Sequence, residues 1–215
     1  SKIILAKKVV FATGTIATTK IIMNYLNFKK EVKIKHHPRI VSVFFSKSKI
    51  KSKLNFTPSL MQIISKNKKN YFTADLRPGN KFITDSIIEL SSLLYPLKFL
   101  INFFRERLLF SNVLLDSSFS NIYIKKKNFT FSLYSKKKKV KKNLYLSVNK
   151  IYQFLLKQKI IYPFYKAKFT GFGSDFHYFG TIPFNNRSIL SVTNNCELKS
   201  NKKIHIVDGS VFDFK

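Results

Sequence analysis

Lys8-Val9-Val10-Phe11-Ala12-Thr13-Gly14-Thr15 is a short apolar run closed by small residues and a glycine. Its first four residues read as a strand, and Gly14 as a turn at which backbone or ligand can approach closely. Residues 15–26 then space Ile16, Ile21, Ile22 and Leu26 about one helical turn apart. The unit is strand, glycine turn, helix. A counterpart stands near the other end of the chain. Ile204-His205-Ile206-Val207 reads as a strand with His205 on its polar face, followed by Asp208-Gly209-Ser210. An Asp-Gly turn explains that tripeptide as well as a functional role does. The two strands are expected in one layer, with a long insertion between them.

The insertion has its own pattern. Residues 38–48 carry Ile40-Val41-Ser42-Val43-Phe44-Phe45, a strand after Pro38. Residues 59–65 and 71–76 read as a hairpin across a polar lysine and asparagine turn, although Thr57-Pro58 would also suit a helix start. A helix is expected from Thr84 or Asp85 to about Leu108, kinked or split by Pro96. Residues 113–124 and 129–134 read as a second antiparallel pair, and residues 144–160 as a helix. The last fifty residues look irregular apart from the final strand. Strands and helices in this order give an α+β fold.

Composition sets limits on function. The 215 residues are 45% hydrophobic and 15% aromatic, which excludes a disordered chain. One cysteine, Cys196, excludes an internal disulfide or a cysteine-built metal site. There are 40 Lys+Arg against 10 Asp+Glu, but the only arginines are Arg39, Arg77, Arg105, Arg107 and Arg187. Phosphate-gripping proteins favour arginine, whose planar fork is bidentate. Lys, Asn, Ile and Phe are enriched together, which points to A- and T-rich codons before a nucleic-acid footprint. The lysine runs at 125–127 and 136–142 read the same way, as solvated surface or as phosphate contacts. The apolar core of the long helix, residues 90–104, holds Pro96 and Lys98 and falls short of the ~20 residues a membrane span needs. It leaves room for contact with a membrane surface. No signal peptide is visible, and the expected location is cytoplasmic. Ser1 opens directly on an apolar run, which suggests a fragment of a longer protein.

Few residues are candidates for chemistry. His36 and His37 are adjacent on an extended chain and point to opposite sides, so no metal site is expected. His177 stands in Gly171-Phe172-Gly173-Ser174-Asp175-Phe176-His177-Tyr178-Phe179-Gly180-Thr181. A histidine in an irregular, aromatic-lined loop suits a general base, and suits a packed structural role equally.

Taken together, the segments resemble the C-terminal part of the glucose–methanol–choline family of FAD-dependent oxidoreductases. The run 8–15 with Ile21-Ile22 resembles the family's strand, Ala-x-Gly and helix beside the FAD, with Thr19 where Pro or Ser is usual. His37-Pro38 resembles its Asp-His-Pro, His36 replacing the acid. His177-Tyr178-Phe179-Gly180-Thr181 is similar to the His-x-x-Gly-Thr that carries the catalytic histidine. Asn195-Cys196-Glu197-Leu198 and 204–211 resemble the closing strand, whose Asp-Gly-Ser approaches the flavin.

The resemblance implies a discontinuous FAD-binding domain from residues 1–37 and 166–215. A substrate domain of mostly antiparallel sheet plus helices would occupy residues 38–165. It implies FAD as cofactor, His177 as proton acceptor, and Ala12, Thr13, Gly14, Asp208 and Gly209 near the cofactor. The donor would be the CH–OH group of a small alcohol or sugar. The family's Gly-x-Gly-x-x-Gly pyrophosphate cradle does not occur among these residues, and its second catalytic position would fall beyond Lys215. The fragment alone is therefore expected to be inactive. The reading from another class is a basic RNA-binding or ribosome-associated protein, against an expectation of no specific nucleic-acid partner.

Overall fold

The structure is a computed structural model and describes residues 5–51, 59–67, 70–89, 96–136, 140–171, 173 and 177–213. Thr57-Pro58, Lys137–Lys139, and Asp175 with Phe176 lie outside the described residues. The fold is mixed α+β, with eleven strands in mostly antiparallel sheets and four α-helices among the described residues. Two compact units divide the chain. The first comprises Ser1–His37, Ser117–Lys138 and Phe172–Lys215, and the second Pro38–Asp116 and Lys139–Gly171.

In the first unit, β1 (Val9–Phe11) pairs in parallel with β11 (Asn201–Ile206), Val9 opposite Ile204 and Phe11 opposite Ile206. The two distant strands thus lie side by side. β11 also pairs antiparallel with β10 (Glu197–Leu198), completing a three-stranded sheet in the order β1-β11-β10. Helix α1 (Thr15–Tyr25) follows β1 directly. A second sheet joins β2 (Val32–Ile34), β7 (Ile122–Lys127) and β8 (Thr130–Ser135), with Val32 opposite Ile124. One apolar core serves both sheets and α1: Ile22, Met23, Ile34, Ile124, Val192 and Ile206 are fully buried within it.

In the second unit, β3 (Arg39–Ser46), β4 (Met61–Asn67), β5 (Asn70–Pro78), β6 (Leu108–Leu115) and β9 (Ile161–Phe169) form an antiparallel sheet in the order β4-β5-β6-β3-β9. Helix α4 (Val140–Lys157) buries Val140, Leu144, Val148, Ile151 and Leu155 along one face, the spacing of an amphipathic helix. The helix stops before Lys159, whose φ of 57° cannot continue it. Helices α2 (Lys81–Glu89) and α3 (Lys98–Phe104) complete the unit.

Several expectations need correction. Helix α2 begins earlier than Thr84, because the Asn80 side chain accepts the Ile83 N–H at 2.9 Å and caps it. The long helix does not reach Leu108: α3 opens two residues after Pro96 and closes at Phe104, and Leu108 begins β6. Leu-Leu-Phe-Ser-Asn-Val-Leu-Leu is the middle strand of its sheet, so its apolar run carries no alternation to separate it from a helix. Strand β9 is not among the expected strands, and its residues 166–169 fall in the stretch expected to be irregular. It is an edge strand, mostly exposed, and accommodates Pro163 as edges do. The block 38–165 is not contiguous. The β7–β8 hairpin belongs with the first unit through its pairing to β2, and β9 keeps residues 166–171 in the second. The second unit therefore ends at Gly171 rather than at residue 165, and near its two ends the Thr170 hydroxyl donates to the Arg39 carbonyl at 3.3 Å.

Candidate functional site

The site is built at the start of α1. Gly14 precedes the helix with φ 88° and ψ 149°, a conformation that strains any residue with a Cβ. A Cβ placed there would meet no atom within 4 Å, so the Gly14 face opens onto free space. The Gly14 N–H donates to Asp208 Oδ2 at 3.1 Å, and the Thr18 hydroxyl donates to the same oxygen. Oδ1 accepts the Ser210 N–H at 2.9 Å and the Ser210 hydroxyl at 2.6 Å. Asp208 thus joins the glycine turn to the short 3-10 turn Gly209–Val211.

Two more bonds close the construction. The Thr15 hydroxyl donates to the Tyr178 carbonyl at 2.5 Å, and Thr19 Oγ1 lies 2.6 Å from Thr181 Oγ1. The Thr19 hydroxyl thus reaches the threonine that closes the 177–181 run. Gly209 is confined by this packing: a Cβ there would fall 2.8 Å from Thr15 Oγ1 and 3.0 Å from the Tyr178 carbonyl. The 178–181 run is held further by Gly180 N–H to the Gly209 carbonyl at 3.1 Å and Ile182 N–H to the Ser210 carbonyl at 2.8 Å.

These segments surround a cleft of about 900 Å³, lined by Thr13, Gly14, His37, His177, Gly209 and Phe212 among others. His177 is exposed at its rim. The Tyr178 hydroxyl beside it donates to the Gly173 carbonyl. Lys35 and Phe179 exchange backbone hydrogen bonds of 2.9 and 3.0 Å, which bring the end of β2 to the histidine loop. His37 then lies against the Phe179 ring, 5.5 Å between centroids, while His36 turns inward and is buried.

Of the residues expected near the cofactor, Thr13, Gly14 and Gly209 line the cleft. Asp208 stands outside its lining as a brace, and Ala12, exposed, follows the end of β1. Lys20, Tyr178 and Phe212 also line the cleft and were not anticipated, since only the fold brings them there. Among the described residues no three of His, Cys, Asp or Glu come close enough to hold a metal ion. His205 is half-buried between buried Ile204 and Ile206, the alternation expected of its strand. Compared with known proteins, the chain matches no family model and no curated protein.

Proposed function

We propose that the first unit belongs to the FAD-binding domain of a glucose–methanol–choline-type oxidoreductase, and that the protein oxidises the CH–OH group of a small alcohol or sugar. The observation that carries the reading is convergence: the Gly14 turn, His177 and the Gly209 turn, far apart in sequence, line one cleft. Two features fit the cofactor. Gly14 presents a bare backbone, with a positive φ, to open space. Strand β1 is parallel, only three residues long, and exposes Val9 and Val10. Parallel strands are ordinarily covered on both faces, so this arrangement suits the margin of a larger sheet.

When bound, FAD supplies the two-electron acceptor for the carbinol carbon. His177 takes the hydroxyl proton on a ring nitrogen as the C–H bonding pair leaves, so the alcohol becomes a carbonyl. The neutral imidazole is the competent form. Tyr178, tied to Gly173, fixes the loop that presents it. His37 and Phe179, in ring contact, line the same cleft as aromatic surface. In the full-length enzyme His177→Gln should retain FAD, and its reduction by substrate should slow by about 10²–10⁴-fold in stopped flow. Reduction at the wild-type rate removes His177 from the role. Gly14→Val should release flavin, since the new side chain enters the cleft; undiminished flavin content in a folded variant counts against this placement.

The RNA-binding reading is supported by charge alone. Of the described lysines of the two runs, Lys125, Lys126 and Lys127 are on β7, Lys136 follows β8 and is bonded to Glu31, and Lys141 with Lys142 is on α4.

A further inference from the structure

Helix α3 has no buried residue, although its sequence is Lys-Phe-Leu-Ile-Asn-Phe-Phe. Phe99 and Phe103 are 79% and 71% exposed and stack with their centroids 6.4 Å apart. Phe103 meets Phe104 edge-on at 5.0 Å, and Phe104 meets Phe45 of β3 at 5.5 Å. Phe45 lies 5.8 Å from Tyr162 and 5.9 Å from Phe164 of β9, the latter 60% exposed. Six aromatic rings thus run without a break from α3 across the end of β3 to the sheet edge, all in the second unit. Exposed apolar patches of this continuity mark interaction sites.

The fringe decides the occupant. Lys98 is on α3, Arg105 and Arg107 follow it, and the Lys47 ammonium lies 6.0 Å from the Tyr162 ring centre. The Arg107 guanidinium donates to the Lys47 backbone carbonyl at 2.5 Å, which fixes it beside the end of β3. The one acid in this stretch is Glu106. Phenylalanine rings offer no polar group to pair, and the surrounding charge is predominantly positive, four cations against Glu106. Apolar rings entering the acyl boundary while cations meet phosphate is the chemistry of peripheral binding to an anionic bilayer. Among the described residues no helix is long and apolar enough to cross a membrane, so contact through α3 is in-plane. We infer that the α3 aromatic patch docks this protein on an anionic phospholipid surface.

The chain contains no tryptophan, so Phe103→Trp gives a reporter at the patch alone. With the 215-residue chain and vesicles of phosphatidylcholine plus phosphatidylglycerol, its emission should shift to the blue and be quenched by brominated acyl chains. Phe99→Ser with Phe103→Ser leaves the charge unchanged and should weaken binding to these vesicles at least about tenfold. Phe129→Ser, at a 99% exposed position on the β7–β8 hairpin, should not. Three results would overturn the inference: unshifted emission at saturating lipid, equal binding by the double variant, or a concentration-dependent dimer that the double variant abolishes. The last would make a second copy the occupant.

Discussion

Asp208 is a carboxylate with four donors assigned to it: the Gly14 and Ser210 N–H groups and the Thr18 and Ser210 hydroxyls. Substituting Asp208→Ala leaves the helix start and the 3-10 turn without their shared acceptor. A loss of about 1–3 kcal/mol is expected in urea unfolding, the range of lost caps and charged hydrogen bonds. The two site glycines should respond differently to alanine. Gly14→Ala meets no neighbour and bears only the penalty of its positive φ, about 1–2 kcal/mol. Gly209→Ala forces its Cβ against Thr15 and the Tyr178 carbonyl, costing about 1–3 kcal/mol as overpacking and shifting the histidine loop. Under the proposed oxidoreductase function, Gly209→Ala should therefore change substrate turnover as well as stability. A variant with wild-type kinetics would show that the loop does not depend on this contact.

Among the elements, α1 shows what was legible and what was not. Its limits follow from Gly14 and the aliphatic spacing, yet the face it buries is Thr15, Thr18, Thr19, Ile22 and Met23, with Ile21 exposed. Hydropathy assigns threonines to solvent. They turn inward because Asp208, the Tyr178 carbonyl and Thr181 supply partners, which sequence periodicity cannot register. That β1 and β11 share a layer was legible through their flanking motifs, though not their parallel pairing, whereas β6 and β9 were not, one lacking alternation and the other lacking burial. Just before β2, a further pairing is titratable. Glu31 accepts hydrogen bonds from Lys136 and from Tyr134 of β8, the latter at 2.5 Å. The Lys136 bond first, and then the Tyr134 bond, hold the Glu31 carboxyl below the usual carboxylate range. The Glu31 bond raises Lys136 above its ordinary value. The Glu31 contribution is complete above the ordinary carboxylate pKa and is lost as pH falls through the lowered one. That of Lys136 is complete below the ordinary lysine pKa and is lost as pH rises through the raised one. Thermal melts of Glu31→Gln should therefore differ from wild type through neutral pH and converge with it in acid. A gap that persists in strong acid would mean the pair is not its source.

At the scale of the molecule, charge and topology make separate predictions. If the lysine excess is dispersed surface charge, binding to duplex or single-stranded nucleic acid should be nonspecific and vanish by moderate salt, as counterion release requires. A sequence-selective complex in physiological salt would instead favour the RNA-binding reading. Strand β11 is the middle strand of its sheet and carries Ile204 and Ile206 into the core. Removing residues 201–215 should unfold the first unit, with loss of protection from hydrogen exchange at Ile22 and Met23. Retained protection there would show that β11 is dispensable.

The pairing of Val9 with Ile204 also sets an order of events during synthesis. A ribosome adding roughly 5–20 residues each second releases the first strand long before its partner exists. For some tens of seconds at the slower rates, β1 and the inward threonines of α1 have neither Asp208 nor β11 to receive them. The β1–β11 pairing can close only once β11 has emerged, so the nascent chain must wait with β1 unpaired by it. That interval is when a holding chaperone would find it, and when a neighbouring unfinished copy could offer the wrong strand.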